Sequence, residues 1–445
     1  MSSIGREMAR KGVHVAMGGF AFLLVWLTPW QAALLACGAL VHNLFVLPRY
    51  GGRRIFRGTA SERGHDLGIV LYPASILALV LIFPGHLEIV AAAWGLLAFG
   101  DGMATVAGIL ARGRGGSLPW NPQKSWVGLL AFAAFGGAGS ATLYGWTLGV
   151  TMEAAWLLPL LLVAAVMAVV ESLPLGLDDN IVVSVGGGAL LYAALSIDPQ
   201  VLVERKDVFV GRVLAAVAVN LLLGVAAWKA GSVDRSGLLH GVVLGTAIWV
   251  FAGAGGFLML FAFFFLGSAA TRVGYGTKIR EGTAQEKGGA RGAANAWANA
   301  GAGALFALLA AGSAEPGPYW LALVAAFATA TADTLGSEIG QAYGRRTYLV
   351  TTFRPVPRGT DGAVSLEGTL AGVAGSLVVA LLGWGMGLIS PAAVAWVVLA
   401  AWIGTTLESY LGALLERRAR IDNEAQNFLN TLVGGVVAMA LVHGL

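Results

Sequence analysis

The sequence carries little charge for its length. Only 12% of its 445 residues are Asp, Glu, Lys or Arg, whereas 57% are hydrophobic, and the mean hydropathy is +0.76. An ordinary soluble domain has roughly 25% charged residues. The shortage of charge therefore excludes a water-soluble globular protein and indicates an integral membrane protein. The single cysteine, Cys37, also excludes an internal disulfide.

Two common phosphate-binding designs are missing as well. The chain has no Walker A pattern and no protein-kinase motif set, which excludes P-loop and protein-kinase chemistry. The net charge of +4 lies in loops between apolar runs. We interpret that charge as a determinant of topology and of phosphate contacts, and we expect no nucleic-acid partner.

Apolar runs long enough to cross a bilayer follow one another along the whole chain. We predict an all-α polytopic membrane protein with about fifteen transmembrane helices. The predicted spans are 12–28, 30–48, 67–84, 87–110, 126–149, 155–171, 180–196, 209–228, 237–252, 254–268, 292–312, 318–335, 366–388, 391–412 and 427–443.

The distribution of Arg and Lys predicts the orientation. If the basic N-terminal segment is cytoplasmic, alternation of the helices places most other basic residues on the same side, as the positive-inside rule requires. We therefore expect a cytoplasmic N-terminus, active sites facing the cytoplasm, and residence in the plasma membrane.

A polar pattern occurs twice in the same order, which indicates an internal repeat. Asp101 precedes the pair Lys124-Ser125, and Asp333 precedes Ser365. Further along each half, an apolar run ends at Glu-Ser and is followed by an acidic and amide cluster. We predict two parallel seven-helix repeats, with domains at 1–200 and 235–445 and a linker helix within 201–234.

The acids of this pattern point to a reaction. Carboxylates within membrane helices are costly, so they need partners or a wet cavity. Converging carboxylates offer oxygen ligands to magnesium, and basic glycine-rich loops can bind a polyphosphate. A single acid is also explained by a helix ending at the interface, but repetition of the whole set favours phosphoryl or nucleotidyl transfer at a membrane surface.

Several motifs resemble two related families. The N-terminal half resembles the phytol kinase and dolichol kinase group, and more distantly phosphatidate cytidylyltransferases, in REMARKGVH, FGDGMATVAG, NPQKSWVG and ESLPLGLDDN. The C-terminal half resembles the phytyl-phosphate kinase family in GTKIREGTAQEKGGARGAANAWANAG, ATADTLGSEIG, VPRGTDGAVSLEGTLAG, LESYLGALLE and NFLNTLVG. The first half departs from its family at Val127, where glutamate is usual, and the second half has Val364 where the first has Lys124.

The resemblance implies a bifunctional lipid kinase. A prenyl alcohol such as phytol, geranylgeraniol or farnesol would become its monophosphate in the first half and its diphosphate in the second, as in isoprenoid salvage. The families use CTP or another nucleoside triphosphate with Mg²⁺. The expected partners are the two lipids, the nucleotide and the bilayer, while the oligomeric state stays open.

We assign candidate residues to both sites on this hypothesis. In the first site, Mg²⁺ binding and catalysis are expected from Asp101, Glu171 and Asp179, and phosphate or nucleotide contacts from Arg112, Arg114, Lys124, Ser125 and Asn180, with Lys124 also catalytic. In the second site, the metal candidates are Asp333, Glu338, Glu408 and Asn427, with Asp333 and Glu408 catalytic. Its phosphate-binding candidates are Lys278, Arg280, Lys287, Arg291, Asn295, Arg358 and Ser365.

Three alternatives remain at this point. A cytidylyltransferase that forms a CDP-linked lipid uses similar groups but releases pyrophosphate. A transporter would place its polar groups near the bilayer midplane, whereas these groups lie at helix ends and in loops. One half could also be catalytically inactive, since the second half lacks the lysine that corresponds to Lys124.

Overall fold

The computed structural model describes residues 3–49, 67–111, 115–151, 153–173, 178–283, 285, 289–415 and 423–443. Ten helices in these ranges are long and apolar enough to cross a membrane. Every predicted span falls on an observed helix. The all-α polytopic membrane fold is therefore confirmed.

The chain divides into two compact units, Met1–Ser196 and Ile197–Gly444. The first contains α1 (Ser3–Met17, continued by a 3-10 helix at Gly18–Trp26), α2 (Pro29–Val41), α3 (Leu67–Ile82), α4 (Leu87–Gly95), α5 (Gly102–Leu110), β1 (Ser117–Leu118), β2 (Asn121–Ser125), α6 (Trp126–Ala131), α7 (Gly137–Leu148), α8 (Ala154–Ser172), α9 (Asp179–Ile181) and α10 (Gly187–Leu195). Turns of π-helix join α4 to α5, α6 to α7 and α9 to α10, and extend α2 to Val46.

The core of the first unit surrounds α4. Its side chains Val90–Ala93 are completely buried. A Cβ added to Gly95 would lie 2.7 Å from the backbone of Gly139 on α7. Small residues thus let the two backbones touch, which is how helices associate where no water separates them.

The second unit contains α11 (Pro199–Glu204), α12 (Lys206–Lys229), α13 (Arg235–Arg272), α14 (Tyr275–Glu281), α15 (Ala293–Gly312), α16 (Gly317–Tyr343), β3 (Thr347–Leu349), β4 (Ala363–Ser365), α17 (Leu366–Gly385), α18 (Ala393–Leu415) and α19 (Asn423–His443). Its central helix is α16, whose residues from Leu321 to Ala332 are buried throughout. The predicted linker helix is α12, and it packs within this unit against α13.

The long helix α13 reverses direction at Gly253. This residue has φ 67° and ψ −169°, a conformation that only glycine adopts readily. Arg272, at the end of α13, donates hydrogen bonds to Ala230 O and Ser232 Oγ just before the helix begins. Arg212 of α12 donates to Val250 O beside the break. The two halves of α13 are therefore antiparallel and correspond to the two predicted spans 237–252 and 254–268.

One local arrangement occurs in both units. The hairpin β1–β2 leads into α6, and the hairpin β3–β4 leads into α17. In each case the last strand residue, Ser125 or Ser365, caps the following helix by accepting a hydrogen bond 3.1 Å from a glycine N–H. A Cβ on Gly128 would lie 3.1 Å from Ala104 O, and one on Gly368 would lie 2.5 Å from Gly336 O. Ala104 lies three residues after Asp101, and Gly336 lies three residues after Asp333. Each capped helix thus packs closely against the backbone one turn after an aspartate.

Candidate functional sites

In the first unit, Asp101 is bound by two side chains of α1. Lys11 Nζ lies 2.6 Å from Asp101 Oδ2, and His14 Nε2 lies 3.3 Å from the same oxygen. The His14 ring nitrogen also lies 3.0 Å from Leu97 O. Lys11 and His14 lie three residues apart, which places them on one face of the helix. Lys11 therefore neutralises a carboxylate that is buried beside it, and His14 contacts the same oxygen.

The same cluster contains a second lysine and two more acids. Lys124, at the end of β2, donates to Glu171 of α8 and lies 3.3 Å from Asp179 Oδ2 of α9. Burial lowers the pKa of Lys124, but attraction to Glu171 and Asp179 outweighs it and raises the pKa above its usual value near 10.5. Lys124 is therefore a stable cation at the centre of the acids.

Oxygens of Asp101, Glu171 and Asp179 can all lie within 4.8 Å of one another. Carboxylate oxygens are the hard donors that a magnesium ion prefers. The structure thus brings together the three acids that the sequence assigned to a metal, and it adds two lysines to them.

Two other candidates of the first site have structural partners. The Ser125 hydroxyl caps α6. The Asn180 side-chain amide donates to Asp178 Oδ1 at 2.7 Å and to Gly68 O at 3.4 Å. Arg112 and Arg114 lie outside the described residues. Nucleotide binding by these four residues stays a prediction.

In the second unit, Asp333 of α16 and Glu408 of α18 form a pair. Their carboxyl groups are hydrogen-bonded to each other. The Asn430 side-chain amide of α19 donates to Glu408. Three helices that are distant in sequence therefore converge on one acidic pair, which lies on the wall of a cavity.

This cavity, the polar cavity of the second unit, has a volume of about 680 Å³. Glycines of α16 and α17 form part of its wall, together with hydroxyl side chains such as Ser337, Thr369 and Thr405. Asp361 adds a third carboxylate, and no Lys, Arg or His of the described chain lines it. The cavity is thus acidic, in contrast to the lysine-neutralised cluster of the first unit.

Two predicted ligand-binding residues of the second half instead bind each other. Lys278 Nζ lies 2.5 Å from Glu338 Oε2 and donates to Thr271 O at 2.9 Å and Ala270 O at 3.3 Å. The second oxygen of Glu338 accepts hydrogen bonds from Thr271 Oγ1 and from Gln285 Nε2. The ammonium has used its three donors. Both residues thus form a buried ion pair, and their predicted roles in binding phosphate and metal stay predictions.

The remaining basic candidates are dispersed. Arg280 donates to Thr277 Oγ1, and Arg358 pairs with Glu281 at 3.0 Å, both at the surface. Arg291 and Asn295 line a second, apolar cavity. Lys287 lies outside the described residues. Of the four described candidates, Arg280, Arg291, Asn295 and Arg358, none lines the cavity that contains the acidic pair.

Two further candidates lie near the acidic pair, and their binding roles stay predictions. Ser365 lines the polar cavity, but its hydroxyl caps α17. Asn427 is not among the described residues that line the cavity, and Asn430 contacts Glu408 in its place. Sequence reasoning missed Asn430, as well as the contacts of Lys11 and His14 with Asp101. The signals were present as a second amide one turn after Asn427 and as the helical spacing within REMARKGVH.

Comparison with known proteins matches residues 218–435 to the family described as integral membrane protein DUF92. An uncharacterized membrane protein of Synechocystis sp. is 46% identical over 51% of this chain and 86% of its own length. The chloroplastic protein VTE6 of Arabidopsis thaliana is 39% identical over 51% of this chain and 71% of its own length. An uncharacterized membrane protein of Methanocaldococcus jannaschii is 31% identical over 52% of this chain and 94% of its own length. No solved structure matches the chain.

Proposed function

The chain belongs to the integral membrane protein family DUF92. From the motifs of both halves and the geometry of the two sites, we propose that it is a membrane lipid kinase with two sites. The second unit transfers a phosphoryl group from CTP or another nucleoside triphosphate to a prenyl monophosphate. The first unit phosphorylates the prenyl alcohol. The observation that carries this proposal is the polar cavity that contains Asp333 and Glu408.

The chemistry of the polar cavity supports a nucleotide with a divalent cation. Adjacent carboxyl groups repel each other when both are ionised, so a proton or a cation must lie between them. Their oxygens, together with hydroxyl groups nearby, are the donors that Mg²⁺ prefers. When bound, Mg²⁺ would neutralise the charge of the transferring phosphoryl group.

The residues of the chain itself would have distinct roles. Asp333 and Glu408 would hold the cation, and Asn430 would orient Glu408 through its hydrogen bond. Gly336 and Gly368, which let α16 and α17 meet at backbone distance, would shape the wall against which the polyphosphate lies. Phosphoryl transfer depends mainly on such positioning and charge neutralisation.

The cluster in the first unit supports the alcohol kinase activity. Asp101, Glu171 and Asp179 offer the same oxygen donors, and Lys124 would bind phosphate oxygens when a cation takes its place among the acids. The resemblance of this half to the phytol and dolichol kinase group indicates a prenyl alcohol as the acceptor. We place both sites at the cytoplasmic face, as the loop charges predict.

The test is phosphoryl transfer by the purified full chain in lipid nanodiscs. Farnesyl or geranylgeranyl monophosphate is incubated with Mg²⁺ and γ-labelled or α-labelled CTP, ATP, UTP or GTP. We expect label on the lipid only from γ-labelled nucleotide, because a kinase transfers the γ-phosphoryl group. Label from the α position would instead identify a CDP-lipid-forming cytidylyltransferase and overturn the proposal.

Variants assign the two steps to the two units. Asp333→Asn should reduce formation of the diphosphate by roughly 100-fold or more, while prenyl alcohol is still converted to monophosphate. Asp101→Asn should give the reverse pattern. Asp207→Asn, the same change at an exposed position of α12, serves as the control. If both site variants still converted alcohol to diphosphate, the two-site assignment would be wrong.

A further inference from the structure

A second cavity of the second unit lies between α12, α13 and α15. It has a volume of about 670 Å³, and none of its lining residues also lines the polar cavity. Most of its wall is apolar, with Leu223 from α12, Phe257, Leu260 and Phe264 from α13, and Ala300 from α15. We call it the apolar cavity.

The apolar cavity has the dimensions and exposure expected of a lipid site. From Phe257 to Arg272 the helix α13 rises about 22 Å, at 1.5 Å per residue. Phe265, on the cavity wall, is 62% exposed and Phe261 is 37% exposed. A membrane-spanning segment with exposed aromatic side chains faces hydrocarbon, so a chain can enter from the bilayer.

One end of the apolar cavity is cationic. Arg272 and Arg291 both line this end, and no Asp or Glu of the described chain lines the cavity. Arg272 is held at the rim by Ala230 O and Ser232 Oγ. The cavity therefore combines an apolar length with a positive end, the complement of an amphiphile with an anionic head.

Arg291 is the group that points to a specific ligand. Its Nη1 atom is buried and has no hydrogen-bond partner among the described residues. The guanidinium lies 5.3 Å from the centre of the Phe263 ring, which is a weak partner for a full charge. Burial lowers the pKa of Arg291, and attraction to Glu338 only opposes that effect. A buried guanidinium with an unused donor is costly unless an anion binds it.

We propose that the apolar cavity binds a lipid monophosphate, with the chain along α13 and the phosphate on Arg291. The requirement for an anionic amphiphile comes from the cavity itself. The choice of a phosphate monoester rests on the proposed function, whose acceptor has this chemistry. The two cavities of the unit then suit the two reactants, since one is acidic and polar and the other is cationic and apolar.

The glycine at position 241 allows the cavity to be filled without disturbing its wall. Gly241 lines the cavity, and a Cβ added there would meet no atom within 4 Å. Gly211 on α12 is equally open but lies outside the cavity. Gly241→Leu should therefore fold and occupy ligand space, while Gly211→Leu is its matched control.

The experiment measures binding of radiolabelled farnesyl monophosphate to the full chain in nanodiscs of zwitterionic lipid, without nucleotide. Arg291→Gln should weaken binding by about tenfold, the loss expected for one charge-assisted hydrogen bond. Gly241→Leu should also weaken binding, because its side chain occupies ligand space. Arg235→Gln, an exposed arginine of α13, and Gly211→Leu should bind like the unaltered protein. Farnesol should be affected by Gly241→Leu alone, and inorganic phosphate should compete only weakly.

The outcomes separate this proposal from the kinase assignment. Unchanged binding of farnesyl monophosphate in both Arg291→Gln and Gly241→Leu would overturn the site, even if the enzyme transfers phosphate. Binding that persists in a catalytically inactive Asp333→Asn variant supports the site by itself. Competition by phosphatidate at concentrations where phosphatidylcholine does not compete would identify a bilayer lipid as a second source of the same monophosphate chemistry.

Discussion

The buried pair of Lys278 and Glu338 allows a quantitative prediction about stability. Both side chains are nearly inaccessible, with side-chain exposures of 1% and 3%. Replacing Lys278 by Met keeps most of the packing but leaves the Glu338 carboxylate buried without its cation. Breaking a buried pair in this way costs about 3–5 kcal/mol. We therefore expect Lys278→Met to be strongly destabilised.

The matched control is Lys229→Met, because Lys229 lies exposed at the end of α12. Stability is measured by the midpoint of thermal or denaturant unfolding in detergent, followed through tryptophan fluorescence. The double variant Lys278→Met/Glu338→Leu should recover most of the loss, since an apolar pair of similar volume can replace a buried ion pair.

A kinetic measurement decides between the structural role and the phosphate-binding role predicted from the sequence. If the pair is structural, the folded fraction of Lys278→Met keeps its KM for nucleotide and for lipid monophosphate. If Lys278→Met were as stable as Lys229→Met and raised either KM by tenfold or more, the structural interpretation would be refuted. That result would indicate that Lys278 binds phosphate, as the sequence predicts.

Three further predictions concern individual contacts. Gly368→Ala should cost about 1–3 kcal/mol, because its Cβ would lie 2.5 Å from a carbonyl oxygen of α16, whereas Gly385→Ala meets no atom and should be neutral in the same unfolding assay. Asn430→Leu should reduce diphosphate formation by about 10–100-fold, because it removes the hydrogen bond to the Glu408 carboxyl. A larger loss in Asn427→Leu would contradict the assignment of this role to Asn430. The pKa of Lys124 is raised when folded, so its contribution to stability should be constant from neutral pH up to its ordinary value near 10.5 and be lost as the pH rises further. A difference between the unaltered protein and Lys124→Met that declines already between pH 7 and 9 would contradict this.

The positions of the helices were predictable because they depend on local sequence. A run of apolar residues with little charge must form a helix to satisfy its backbone within hydrocarbon. Even the two spans within α13 could be separated, since the glycine-rich segment around Gly253 interrupts the apolar run. The repeat of Asp, Ser and Gly was also visible, and the two serine caps explain why it recurs.

The membership of the sites was predictable only in part. The acids Asp101, Glu171 and Asp179 do converge, as their order in the chain predicted. On charge alone, Glu338 and Lys278 were equally plausible as binding residues of the second site, but packing places them opposite each other in the interior. Asn427 and Asn430 differ by three residues, about 300° around a helix, so only the position of α18 decides which of them meets Glu408.

By itself, the sequence determined that this protein is an all-α membrane protein and which of its polar residues need a partner when they are buried. Only the tertiary structure decided which partner each of them has. Lysines neutralise the acids of the first unit, while Asp333 and Glu408 face an acidic cavity and Arg291 faces an apolar one. The physical reason is that pairing depends on distances of a few ångströms across different helices, and sequence spacing does not specify those distances.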